Sequence, residues 1–355
     1  MSFSQTCSRI GVTSIAAIFF LALPAVARAD ADADWKKITA MDAGPEAEAK
    51  TRDEALKLTL TQLALQEKAL RAFVADYPRD PHGVEARMRL SHILAIRSDL
   101  ENNPQLYQAA LKILDDLLAS PATPPVKLAD VAYARVTLFM HRAENPDDED
   151  REALLSQVLQ FKKDYPSDHR NGALLAEIAS LYDADPEKKR DLLNEAFRYA
   201  DTDELKARIN DDLKRLGMLG RPLELKFDSV QGAPFDIAAY RGKVVLVYFF
   251  AAWSTPSIMG LEPVKQIADD LPKSQFQLVG ISLDDKKESL QLIMNKFGLK
   301  CPVYFDGKAW ESPLARSLGI NALPTVWLVD KKGNLRVLNA INDTEGLVRG
   351  LMRED

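Results

Sequence analysis

Five consecutive residues, Trp253-Ser254-Thr255-Pro256-Ser257, set two serine hydroxyls three positions apart where a long apolar run gives way to a helical one. A serine becomes a nucleophile only when a positioned base takes its proton. The four histidines, His82, His92, His141 and His169, all lie far upstream of this turn, so the pattern gives no support to serine hydrolysis. The helix dipole, which acidifies a thiol at such a turn, cannot usefully ionise a hydroxyl. Ser254 or Thr255 followed by Pro256 is also an ordinary cap-then-proline helix start. The other reactive candidate is Cys301, which follows Phe297-Gly298-Leu299-Lys300 and opens a short apolar run. No His/Cys grouping has metal-ligand spacing, and no glycine-rich loop sits between a strand and a helix, so neither a metal nor another cofactor is implied. Asp284, Asp285 and Asp306 follow strands and could reach the site face, although loop carboxylates are ordinarily solvated.

The elements that must hold these residues belong to an α/β pattern. Lys243 to Phe250 is continuously apolar, as in a strand buried on both faces. Phe276 to Leu283, Val303 to Phe305, and Thr325 to Val329 are further strands. Helical stretches at 257–271, 286–297 and 310–318 lie between them. Strands alternating with helices predict a sheet with right-handed crossovers. A last strand near 335–339, close behind the turn Lys332-Gly333-Asn334, marks an antiparallel hairpin. Functional sites in parallel α/β sheets gather at the carboxyl ends of strands. Cys301, at the amino end of its strand, is therefore expected on the opposite rim from the serine turn.

Residues 50–216 carry a different periodicity. Leu106, Ala109, Ala110, Ile113, Leu114, Leu117 and Leu118 recur at three- and four-residue spacing, as on one face of a helix. Proline- and asparagine-containing breaks divide the region into about eight helices, near 51–76, 81–97, 104–119, 125–142, 149–164, 169–182, 186–199 and 203–216. The block Phe-x-x-Asp-Tyr-Pro at Phe73–Pro78 returns at Phe161–Pro166, 88 residues later. It resembles the hairpin ends of tetratricopeptide-like repeats, although its spacing is irregular. An array of helical hairpins follows, a form that offers concave surfaces to partners. A plain helical spacer fits the pattern equally well.

At 355 residues the chain has room for two domains of ordinary size. Arg9, the apolar run Ile10–Val26 and the small-x-small triplet Ala27-Arg28-Ala29 predict a secretory signal over 1–29. Cys7 precedes the apolar run, where lipid-attachment cysteines do not occur. Cleavage would leave Cys301 as the lone thiol in an oxidising compartment, unable to form an intramolecular disulfide. No other stretch is long enough to span a bilayer. Charge is divided unevenly: 17 Lys+Arg against 16 Asp+Glu over 217–355, and 27 against 36 over 30–216. Neither part carries the dense basic patch that nucleic-acid binding requires.

Several blocks together resemble the TlpA/ResA-like thiol:disulfide oxidoreductases of the AhpC/TSA redoxin group over roughly 220–340. They are Arg241-Gly242-Lys243-Val244-Val245, Phe250-Ala251-Ala252-Trp253, Gly280-Ile281-Ser282-Leu283-Asp284, Tyr304 to Trp310, Gly319 to Thr325, and Trp327-Leu328-Val329-Asp330. The resemblance implies a thioredoxin fold and a cis peptide bond before Pro324, lying against the active turn. It also implies a Trp-Cys-x-Pro-Cys motif, for which this chain has Ser254 and Ser257. Disulfide exchange needs a thiolate attacking sulfur, and a serine has no corresponding oxidised state. Family members often carry Glu and Pro further along the helix, where this chain has Gly260 and Glu262, with Pro263 displaced by one.

The expected architecture is an all-α helical-hairpin array over 30–216, then an α/β thioredoxin-like domain over 217–355 with a mixed sheet and flanking helices. The expected role is that of an exported protein, periplasmic or otherwise extracytoplasmic, inactive in dithiol exchange and binding protein or peptide. Thioredoxin-like proteins hold extended substrates beside the cis-proline, which implies a groove of Trp253, Thr255, Pro256, Leu323, Pro324 and Thr325. Two alternatives are an oxidoreductase or peroxidase using Cys301 alone, and a helical scaffold capped by the thioredoxin-like domain.

Overall fold

The computed structural model describes residues 25–45, 47–142 and 148–354. The apolar run of the expected signal lies largely outside the described residues, as does Cys7. The chain forms two compact units, Met1–Phe139 and Met140–Asp355.

The first unit is helical: α1 (Ala25–Ala40), α2 (Arg52–Asp76), α3 (Gly83–Leu100), α4 (Pro104–Ala119) and α5 (Pro125–Arg142), which runs past the boundary. The sequence starts these helices in the usual ways. The Thr51 hydroxyl accepts from the Glu54 amide at 3.1 Å to cap α2. Asn103 caps α4 with Pro104 in the first turn. Leu70, Phe73, Ala86, Leu94, Ala110, Leu114 and Val131 form the fully buried seam between them. The sequence reading assigned no helix to 30–49. There α1 buries Ala31 and Ile38 and stacks Trp35 on His82, with the Arg89 guanidinium also over the indole.

In the second unit, α6 (Asp148–Asp164), α7 (Asn171–Ala179), α8 (Pro186–Tyr199) and α9 (Asp203–Met218) complete the eight helices read from 51–216. The two Phe-x-x-Asp-Tyr-Pro blocks end their helices alike. The Tyr77 amide donates to the Phe73 carbonyl at 2.9 Å, and the Tyr165 amide to the Phe161 carbonyl at 2.8 Å. The paired rings lie 5.1 and 5.2 Å apart. In each turn an aspartate, Asp80 or Asp168, accepts from the amide two residues on.

Beyond α9 a small hairpin, β1 (Lys226–Asp228) with β2 (Pro234–Asp236), precedes a five-stranded sheet. Its strands are β3 (Val244–Phe250), β4 (Phe276–Ser282), β5 (Val303–Tyr304), β6 (Thr325–Val329) and β7 (Leu335–Val337), in the order β5-β4-β3-β6-β7. β4 runs parallel to β3 and β5, whereas β6 is antiparallel to β3 and β7. The sheet is mixed, as expected.

All seven residues of β3 are buried, and alternation divides them between two cores. Val244, Leu246, Tyr248 and Phe250 pack beneath α10 (Thr255–Asp270), α11 (Lys287–Phe297) and α13 (Thr344–Arg353). Val245, Val247, Phe249 and Ala251 face Leu223, Phe235, Ile237 and the short α12 (Pro313–Ser317). A continuous apolar run is what a strand covered on both faces requires. Strands of three residues, as in β1 and β2, are too short to show a period, and the sequence reading passed over them.

Candidate functional site

The carboxyl end of β3 delivers Trp253 to Ser257 into the first turn of α10. Ser254 is the cap: its backbone is extended and its hydroxyl accepts from the Ser257 amide at 3.4 Å. Thr255 and Pro256 start the helix, and both are exposed. The Ser257 hydroxyl donates to Ser254 Oγ at 2.9 Å, and both side chains are buried. The two sequence-singled serines thus meet each other. Among the described residues no histidine or carboxylate bonds to either, so the pair lacks the base that a nucleophile needs.

Trp253 stands out from the turn, 52 % exposed, with its ring 6.0 Å from that of Trp310. Its indole N–H donates to the Leu283 carbonyl at 3.3 Å, just past the end of β4. The Leu283 amide in turn donates to the Phe250 carbonyl at 2.8 Å. The carboxyl ends of β3 and β4 therefore fix the turn as one piece.

Asp284, for which the sequence leaves open a place at the site face but favours ordinary solvation, is buried against the turn. It is 1 % exposed and accepts from the Ala252 amide at 2.8 Å and from the Ser282 hydroxyl at 2.8 Å. Burial raises its pKa; the two hydrogen bonds oppose that shift, and the neighbouring Asp285 adds to it. Ala252 is the residue before Trp253, so Asp284 pins the entry to the turn from beneath.

The floor of the turn is Tyr248. Its hydroxyl donates to the Ser257 carbonyl at 2.7 Å, and burial pushes its pKa up. A Cβ at Gly260 would lie 2.6 Å from that hydroxyl. The absence of a side chain at 260 is thus matched by a phenol that fills the space. A residue on a strand and one on the next helix give no local sequence signal of such a pairing.

The second group of expected groove residues lies at the start of β6. The Leu323–Pro324 peptide bond is cis. Leu323, Pro324 and Thr325 are half-buried, and the Thr325 hydroxyl donates to the Ala322 carbonyl at 2.8 Å. Thr325 pairs with Phe249 across the antiparallel ladder. The ladder ends there, so Pro324 and Leu323 lie just beyond it, at the same end of the sheet as the serine turn. Trp310 was not among the expected site residues; it comes from the 3-10 turn Ala309–Glu311 ahead of α12.

Cys301 lies elsewhere. It is half-buried at the amino end of β5, and its carbonyl accepts from the Gln231 side chain at 2.9 Å. β5 is parallel to β4, whose carboxyl end supports the turn, so the thiol belongs to the opposite rim. Burial pushes its pKa to about 11. No group of three or more His, Cys, Asp and Glu residues among the described ones could hold a metal.

The AhpC/TSA family model matches residues 221–338. The thiol-disulfide oxidoreductase ResA of Geobacillus thermodenitrificans is 22% identical over 107 residues, which make up 30% of this chain and 60% of that protein. ResA of Geobacillus kaustophilus matches to the same extent. The chain thus spans less than two thirds of the length of these curated relatives. Among solved structures, a thiol:disulfide interchange protein of the thioredoxin family from Chlorobium tepidum is 24% identical. The match covers 38% of this chain and 98% of that one, with a TM-score of 0.33. The thioredoxin domain of a thiol-disulfide oxidoreductase from Bacteroides vulgatus is 17% identical over 37% of this chain and 95% of its own, with a TM-score of 0.34. Residues 221–338 thus match the AhpC/TSA family model and form a thioredoxin-like domain behind a helix-rich region, similar in sequence to ResA-type oxidoreductases.

Proposed function

We propose that the thioredoxin-like domain binds protein or extended peptide at the rim formed by Trp253, Thr255, Pro256, Leu323, Pro324 and Thr325, and performs no dithiol exchange. The observation that carries this reading is the Ser254–Ser257 pair, two hydroxyls hydrogen-bonded at 2.9 Å inside an intact strand-to-helix turn. Oxygen cannot cycle between thiol and disulfide states, so retention of the turn favours a role for its shape. A large, half-exposed indole beside a second one suits capture of apolar side chains. Among the described residues nothing bonds to the backbone amide or carbonyl of Leu323, which leaves that stretch open to pair with an extended chain.

Export through the predicted signal over 1–29 belongs to the same proposal. So does the helical-hairpin array as a second surface for partners; a purely supporting array is the other reading of that region. Catalysis through Cys301 alone is the rival. A thiol with its pKa near 11 on the far rim gives it little thiolate at neutral pH.

The proposal is tested by titrating the full chain with reduced, carboxymethylated insulin B chain, an extended apolar peptide, while following tryptophan fluorescence. Saturable binding that weakens at least tenfold in Trp253→Ala is expected. No binding to the wild-type chain, or equal binding by the variant, contradicts the assigned surface.

A further inference from the structure

The loop leading to the cis-proline is gripped by the last helix of the helical region. Lys214 Nζ donates to the Arg316 carbonyl at 2.9 Å. Arg215 donates through one guanidinium nitrogen to the Gly319 carbonyl and through another to Asp212. Asp212 also accepts from the Asn321 amide group at 3.4 Å. Three positions, 316 near the end of α12 and 319 and 321 in the loop beyond it, are thereby tied to α9.

The fit is close as well as polar. Gly319 has φ +70, and a Cβ there would stand 2.9 Å from the Asp211 carbonyl oxygen and 3.5 Å from Arg215 Cγ. The glycine is required twice, by its backbone conformation and by the approach of α9. The Arg215 side chain is only 16 % exposed, and burial lowers its pKa while Asp211 and Asp183 oppose that shift. A guanidinium withdrawn from water and satisfied by a carbonyl and a carboxylate costs much to disturb on one side only. From Gly319 the chain runs through Ile320, buried in the core beneath α12, to Leu323 and Pro324.

We infer that Arg215 is a positioning residue for the peptide-binding rim, and that α9 shapes that rim by holding the segment 316–321. The inference rests on the proposed function for its binding consequence, though not for the mechanical link. α9 belongs to the helical region and continues directly into the thioredoxin-like domain. Met218 and Leu219 at its end pack into the sheet core. The helical region thus reaches the rim loop through Asp212, Lys214 and Arg215. This gives the fusion of a helical array to a thioredoxin-like domain a functional reason.

The test is hydrogen exchange on the full chain as wild type, Arg215→Ala, Arg215→Lys and Gly319→Ala, alongside binding of the insulin B chain. Arg215→Ala is expected to speed exchange at the hydrogen-bonded amides of Leu318, Gly319 and Ile320 at least tenfold. The amides of Val244–Phe250 are expected to stay unchanged. Arg215→Lys, which keeps the charge and loses the two-pronged geometry, should fall between. Gly319→Ala, which disturbs the contact from the other side, should reproduce the local effect. B-chain affinity should follow the exchange, falling several-fold in Arg215→Ala and partly recovering in Arg215→Lys. Exchange that does not change, or that rises equally in β3 and β6, overturns the inference. Local loosening with no B-chain binding by any protein keeps the mechanical link and removes the peptide reading instead.

Discussion

At Tyr248 and Gly260 the turn is held by a pairing of a large and an absent side chain. Gly260→Ala drives a methyl group against a fixed phenol and should cost about 1–3 kcal/mol. Tyr248→Phe removes the bond to the Ser257 carbonyl and should cost about 0.5–1.5 kcal/mol. With the hydroxyl gone, the nearest ring atom is 3.7 Å from the added Cβ, so the double variant should lose clearly less than the sum of the two. Strict additivity in urea unfolding contradicts the pairing. Asp284 allows a test by pH. Its folded-state pKa is raised, so the proton is held more tightly in the folded chain, and the resulting stability is present below the ordinary value of 3.8. That contribution disappears as pH rises through the raised value. Asp284→Asn keeps an acceptor for Ala252 and cannot ionise. Wild type should therefore lose stability relative to this variant as the pH climbs from about 3 to 7. A difference independent of pH contradicts the buried, titrating carboxylate. Neither pairing was legible beforehand. Asp284 reads as an ordinary loop acid, and the meaning of Gly260 depends on a residue in another element. The serine pair was legible, because three-residue spacing after a buried strand fixes the turn locally.

The elements themselves were largely readable. Asn103-Pro104, Asp185-Pro186 and Pro78 cut the helical region where its helices begin and end, since proline cannot continue a helix and aspartate or asparagine caps one. Besides α1, three elements carry too little signal or lie outside the motif. β1 and β2 are too short to show a period. α13 did carry a signal, with Val348 and Leu351 on one face and Asp343 capping it, but it lies past the recognisable motif. Close packing between helices leaves no mark in the local sequence. A Cβ at Gly172 in α7 would meet the backbone of Tyr199 and Ala200 at 2.8 Å, where α8 ends. Gly172→Ala forces two backbones apart. It should destabilise the chain by at least about 1–3 kcal/mol, although alanine is the better helix former. Unchanged or increased stability in chemical denaturation contradicts that contact.

On the scale of the whole molecule, the change from helical to strand periodicity near Gly217 is clear in the sequence. The compact units nevertheless divide at 139/140, so α6–α9 belong with the sheet. The reason is physical and non-local: Lys214 and Arg215 meet Arg316 and Gly319 more than a hundred positions away. Export is a prediction at this scale. A full-length chain produced in a bacterium with a secretion system should be recovered outside the cytoplasm, with Asp30 as its first residue by N-terminal sequencing; an intact N-terminus contradicts the signal. The central claim, that the turn has kept its form without its redox chemistry, is tested most directly by disulfide reduction and peroxide consumption. Both would be measured on wild type, Cys301→Ala and Ser254→Cys/Ser257→Cys. The account predicts no turnover by wild type or Cys301→Ala, and a reversible disulfide across the turn in the double-cysteine variant. Wild-type turnover that disappears in Cys301→Ala would contradict it.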